Sequence, residues 1–434
     1  MTTKLAERKI LISLIVISGV LLFLRAANTV FIYPMIFISM IALVLCPFNV
    51  CLPYLFFLLP SANIIKIQAG QISLFTLLFL IFVVRVLLKN GRLDRIFLLG
   101  ILFFGVYCLI FAGVEKIITI ATMICGFAML HDACDSDEYN YEDVLCAFCA
   151  GILLASVLGL LKDTFPLLKS FIVEVDQKLS VGEYTERFVG LQRNPNYYTM
   201  DITVALSCLA SNMAAGRPRI KQFVIFGILS IFGIMSISKS FLLIWMILLV
   251  VLLLYSIGTG GGAFVKLVLA MIITGVALYY FAGDSINAYM VRLDTNSGES
   301  ISEMTTGRTD IWFTYIKAAI SDNKNLFFGN GIGKDMKNYK AMHSTYVELI
   351  YSLGIVGIAV YLFALKTSIT IKSFPRRLAC YIPVLALLVR FIGIGMLTQD
   401  SVWYYLVLVC LLLKREYKNE SHVYNLNQKT NSSL

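Results

Sequence analysis

The chain has 434 residues, 59% of them hydrophobic and only 14% charged, and its mean hydropathy is +0.82. A soluble globule needs a charged exterior that this composition cannot supply, so soluble enzymes and nucleic-acid-binding domains are set aside. The formal net charge of +10 falls mostly in short connections between apolar runs, the pattern of membrane-protein loops, and no nucleic-acid partner is expected.

In chain order, the first apolar run, from about Ile10 to Leu24, follows Lys4, Arg8 and Lys9. It lacks a small-residue cleavage site and reads as a retained signal anchor. Further runs lie near 29–47, 50–66, 72–89, 96–113, 117–131 and 143–161, then 197–214, 222–238, 240–257 and 264–282, and finally 345–366, 378–397 and 401–413. Each approaches the ~20 residues that cross hydrocarbon. Pro53 and Pro60 interrupt the third, which is expected to be broken or re-entrant. The predicted fold is therefore all-α, a polytopic membrane bundle of about 12–14 helices. Residues 1–413 form one domain, and the Asn-rich residues 414–434 a polar, disordered cytosolic tail.

An inside N-terminus puts the basic clusters Lys89/Arg92/Arg95, Arg217/Arg219/Lys221, Lys366/Lys372/Arg376/Arg377 and Lys414/Arg415/Lys418 on one side, that of the cytosol. Two long segments then face outward, roughly 162–196 and 282–344, where function tends to gather. No cysteine lies in either, so no structural disulfide is expected, and the Cys146/Cys149 pair inside an apolar run reads as packing. The second segment carries an amphipathic helix, Thr309 to Ile320, with Ile311, Trp312, Tyr315, Ile316 and Ala319 on one face. A Gly-rich turn, Phe328-Gly329-Asn330-Gly331-Ile332-Gly333, follows.

Of three histidines, His343 alone sits where an outward loop re-enters an apolar helix. An imidazole titrating near pH 6.5 is suited to general base catalysis, and the alternative is a residue that caps the helix entrance. Arg187, Arg193 and Arg308 supply guanidinium forks that match phosphate oxygens, although outward arginines also bind lipid headgroups or pair with Glu186 and Asp310. Lys239 stands at an outer span end, as an added charge or a snorkelling side chain. Arg390 lies inside an apolar run, lining a site or joining a buried pair. The outward acids Asp294, Glu299, Glu303 and Asp310 lack metal-ligand spacing, so neither a metal nor a cofactor is expected.

His343-Ser344, then nine residues, then Gly354-Ile355-Val356-Gly357 resembles the signature of the bacterial O-antigen ligase and O-antigen/capsular polysaccharide polymerase family. Gly307-Arg308, Trp312 and the Gly-rich turn resemble its approach to the histidine, and Arg187 to Asn196 its upstream Arg…Asn-Pro-Asn segment. Lys239 stands where relatives often carry an arginine. The resemblance implies transfer of a glycan from undecaprenyl pyrophosphate to a sugar hydroxyl, inverting and metal-independent, at the outer face of the cytoplasmic membrane. In that reading His343 activates the acceptor, Arg308 assists catalysis, and Arg187, Arg193, Arg308 and Lys239 hold the pyrophosphate. The partners would be the lipid-linked oligosaccharide, membrane lipids and a chain-length regulator. A polymerase is preferred because the chain is rich in Lys, Asn and Ile. A ligase that uses lipid A core, and a lipid-linked glycan transporter, stay open.

Overall fold

The computed structural model describes all residues except 1, 69–70, 72, 90–93, 114–115, 173–175, 181–182, 216–218, 260, 295–306, 337–338, 372 and 432–434. Among the described residues there are seventeen α-helices and one two-stranded hairpin. The first seven helices are α1 (Thr2–Ala27), α2 (Ile32–Leu45), α3 (Phe48–Leu58), α4 (Leu74–Lys89), α5 (Arg95–Ala112), α6 (Ile117–Asp135) and α7 (Tyr141–Leu160). A single turn, α8 (Pro166–Lys169), and the antiparallel hairpin of β1 (Asp176–Ser180) and β2 (Glu183–Glu186) occupy the first long connection. Then come α9 (Pro195–Ala215), α10 (Ile220–Met235), α11 (Lys239–Thr259) and α12 (Gly261–Asp294). After these are α13 (Arg308–Ile320), α14 (Asn323–Phe328), α15 (Thr345–Ser368), α16 (Ile382–Gly393) and α17 (Ser401–Asn431).

Among the described residues, seven helices are long and apolar enough to cross a membrane, and four shorter apolar helices accompany them, Thr29–Leu45, Phe48–Ser61, Ile220–Met235 and Leu378–Gly393. The outer faces stay apolar, with Leu45, Leu88, Tyr279 and Phe281 exposed, as lipid-facing positions must be. The chain is a multi-pass helical membrane bundle. The expected 12–14 full-length spans correspond to more varied elements, because several apolar runs fold as helices too short to span alone. In the 50–66 run, α3 gives way at Leu59–Ser61 to a tighter turn that carries Pro60 at its start.

Two expected boundaries move. The second long segment does not begin at 282: α12 continues to Asp294, bent at Ala282, where φ is −135° and ψ 21°. Beyond Lys414 the expected disordered tail is helical as far as Asn431. Its start is anchored by ion pairs from Lys414 (2.9 Å) and Lys418 (2.6 Å) to Asp137, and Arg415 lies over the Tyr141 ring. Those pairs order a polar sequence that would not order itself.

α9 is buried on nearly every face and forms the central rod. Several of its buried polar side chains find partners, as burial favours, while the Ser211 hydroxyl has none among the described residues. Thr199 and Thr203 donate back to the carbonyls of Pro195 (2.8 Å) and Thr199 (2.6 Å), and Asp201 accepts from Tyr405 (2.6 Å) and Gln192 (3.2 Å).

The two glycines after His343 have distinct structural tasks. Gly354 breaks α15 with φ +61°, and the Gly-rich turn docks into the break. The Asn330 and Gly331 amides donate to the carbonyls of Tyr351 (2.8 Å) and Ser352 (3.0 Å). A Cβ on Gly354 would lie 2.5 Å from the Gly329 nitrogen. At Gly357 a Cβ would meet the Tyr107 ring at 2.5 Å, and the Tyr107 hydroxyl donates to the Phe328 carbonyl (2.7 Å). Gly354→Ala therefore combines a left-handed alanine with a backbone collision and is expected to cost roughly 2–5 kcal/mol. A thermal melt in detergent checks this, and an unchanged midpoint would contradict the docking.

Candidate functional site

The turn Gly393–Leu397, between α16 and α17, is where candidate residues from distant parts of the chain meet. The Ile394 carbonyl accepts from the Thr345 amide (3.0 Å) and the Thr345 hydroxyl (2.7 Å). The Leu397 amide donates to the Glu348 carboxylate (3.0 Å), and a side chain at Gly395 would collide with that carboxylate. Arg308 donates to the Gly393 carbonyl (2.8 Å), and Tyr197 donates through its hydroxyl to that of Gly395 (3.2 Å). The first turns of α9, α13 and α15 are thereby fastened to one irregular segment.

His343 is held from both sides. Before it, the Trp312 indole donates to the Met342 carbonyl (2.9 Å), and the Tyr315 hydroxyl to that of Lys340 (3.0 Å). Ile311, Tyr315 and Ala319 bury against Met342, Val347 and Tyr351, so the apolar face expected for this helix is the face that clamps the histidine loop. After it, Ser344 and Thr345 are buried against the turn. His343 itself is exposed and has φ +50°, rare for a residue with a side chain. Among the described residues no hydrogen bond engages its imidazole. Strain held by over-determined neighbours, at an exposed titratable group, makes His343 a candidate functional position.

Partial burial, and then the adjacent Arg308 charge, hold the His343 pKa below its ordinary value, with Asp335 opposing them. Lowering favours the neutral imidazole, the form that accepts a proton. Any reaction using His343 as base should thus lose its rate only below about pH 6.5. Asp335→Asn removes the opposing carboxylate and should move that acid limb lower still. A kcat/KM profile with the limb above the ordinary histidine value would contradict the arrangement. Burial also lowers the pKa of Arg308 from the ordinary guanidinium value.

The other expected anion-binding residues do not share this spot. Arg187 is buried, and its Nε donates to the Ser236 carbonyl (2.9 Å). Lys239 begins α11 three residues on, so both belong to the α10–α11 corner, where Ile237 is the other non-glycine residue with positive φ (51°) among the described residues. That corner is tied to α9 by Ser238 and Asn196 (3.0 Å). Arg390 is a buried cross-brace: it donates to the Asn196 carbonyl (2.6 Å), to Thr199 (2.9 Å) and to Ser240. Arg193 is exposed and faces a cavity of about 430 Å³ that begins where the turn ends, at Thr398–Ser401. Asp294, Glu299 and Glu303 do not enter the geometry: side chains at 292–306 lie outside those described.

Sequence reasoning passed over Lys66, Asn63, Gln399 and Asp400, which line the same cavity as Arg193. It also left Glu348 unassigned, although Glu348 secures the turn. Their one sequence signal is the Gly393-Ile394-Gly395 interruption between apolar runs, which marks an irregular connection. A larger cavity of about 860 Å³ lies at the opposite end, lined by the N-terminal part of α1 and by Lys414, Arg415 and Lys418. Several of its cations and carboxylates pair with one another, as Arg8 does with Asp143 (3.7 Å) and Lys414 and Lys418 do with Asp137.

Comparisons with protein-family models, curated proteins and solved structures give no significant match to this chain. The resemblance to the O-antigen ligase and polymerase family thus stands on the residues named above.

Proposed function

We propose that the chain is a membrane glycosyltransferase that moves a glycan from a polyprenyl pyrophosphate, undecaprenyl in bacteria, to the sugar hydroxyl of another lipid-linked repeat unit. The observation that carries this reading is His343, an exposed imidazole biased toward its neutral form and within electrostatic reach of the Arg308 guanidinium, at one end of a membrane bundle. His343 takes the acceptor proton as the acceptor oxygen bonds to the anomeric carbon. The bond from that carbon to the pyrophosphate oxygen breaks on the opposite face, which inverts the configuration. Arg308 stabilises the charge that develops on the departing pyrophosphate, so the proposed step needs no metal. The end carrying Lys4, Arg8, Lys89, Lys414, Arg415 and Lys418 is assigned to the cytosol, and the His343 end to the outer face of the bacterial cytoplasmic membrane.

Purified protein in nanodiscs, given EDTA and its lipid-pyrophosphate repeat unit alone, should produce a ladder of polymers. A product formed only after lipid A core is added would make the enzyme a ligase. Movement of the lipid-linked glycan across the bilayer with no new glycosidic bond would replace the reading with transport.

A further inference from the structure

The cavity beyond the turn has a chemistry of its own. Lys66 and Arg193 approach closely enough for their charges to repel, yet among the described residues neither has a carboxylate within ion-pair distance. Lys66 donates only to Asn63 (3.1 Å), and no hydrogen bond engages the Arg193 guanidinium. The side chains of Thr398 and Gln399 are likewise uncommitted among the described residues. Asp400 accepts from Thr76 (2.9 Å) through one oxygen and keeps the other for a further donor. Two cations and one carboxylate leave the cavity at net +1.

This lining selects among anions. Inorganic phosphate or pyrophosphate would bring two or more negative charges into a lining of net +1, against Asp400, and offers at most one or two hydroxyls to donate to that carboxylate. A polyol bearing a single acid group uses everything present: its acid meets the cations, and its hydroxyls donate to Asp400 and share bonds with Gln399 and Thr398. The volume of about 430 Å³ is within the range of small-molecule sites, roughly 300–1,000 Å³, and larger than one acid group needs. We infer that the cavity lined by Lys66, Arg193, Thr398, Gln399 and Asp400 is a subsite for an acidic, carboxylate-bearing sugar of the glycan. The inference rests on the proposed glycosyltransferase reading and deepens it. Arg193 then serves the sugar acid, while Arg308 serves the pyrophosphate.

Binding to the full chain in nanodiscs tests this by calorimetry without donor or turnover. The probes are a glucuronate-containing disaccharide, its neutral glucose counterpart and inorganic pyrophosphate. The acidic disaccharide should bind about tenfold more tightly than the neutral one. Lys66→Gln and Arg193→Gln should each erode that preference, and the double variant should remove it while neutral binding and the melting midpoint stay in place. Lys66→Arg should retain it. Equal binding of the two disaccharides overturns the subsite, as does no binding of either, or pyrophosphate binding as tightly as the acidic probe. These outcomes hold for wild type alone, so a variant that fails to fold does not rescue the idea. His343→Ala should keep the preference. In wild type, the preference without any transfer would count against the catalytic reading alone, and active transfer without any preference against the subsite alone.

Discussion

His343→Ala should lower glycan transfer by about 10²–10⁴-fold, the range that a positioned general base contributes. The competing role, a residue that shapes the entrance to α15, makes a different prediction. His343 has φ +50°, so part of what any substitution does is conformational. Asparagine tolerates this left-handed region better than most residues but cannot act as a base near neutral pH. His343→Asn should therefore keep the melting midpoint and the loop geometry while remaining as inactive as the alanine variant. An active His343→Asn enzyme would reduce the histidine to a conformational element and leave the reaction without its base. Reduced activity together with a lowered midpoint in both variants would point the same way. The relevant readout is polymer formed per minute under EDTA, measured beside a thermal melt of the same preparation.

The sequence made the membrane bundle legible because apolar runs of spanning length leave little alternative. The face of α13 was equally legible: the same Ile311, Tyr315 and Ala319 that show helical spacing are buried against the loop before His343. Boundaries were less so. A polar stretch reads as loop, yet α12 runs on to Asp294 and α17 to Asn431, and the latter is held at its start by pairing with Asp137, which no local pattern encodes. The candidate site was half legible. His343 and Arg308 each carry local signals, but their proximity depends on the Gly393–Leu397 turn, 50 residues downstream of the histidine at its start. Arg187, Arg193 and Lys239 look alike in sequence and differ in space: Arg187, bonded to Ser236, and Lys239 belong to the α10–α11 corner, while Arg193 faces the opening at Thr398–Ser401. Lys66 carried no signal, since one lysine after an apolar run looks like an ordinary span end.

Arg308→Gln should reduce transfer by about 10²–10³-fold, comparable to loss of one preorganised charge-stabilising donor at a developing anion. Rate alone would not separate that role from anchorage, because Arg308 also donates to the Gly393 carbonyl (2.8 Å), and glutamine could weaken the turn. The pH profile separates them. The Arg308 charge lowers the His343 pKa, second to burial, so its removal relieves one of the two effects. The acid limb of kcat/KM should then move up toward the ordinary histidine value in Arg308→Gln. Arg308→Lys keeps the charge and loses the two-pronged fork, so its limb should stay where wild type has it while the rate still falls. A purely anchoring arginine predicts the opposite division: both variants destabilised, neither limb displaced. If the limb of Arg308→Gln coincides with that of wild type, His343 and Arg308 do not act on one substrate, and the proposed displacement loses the cation that its leaving group requires.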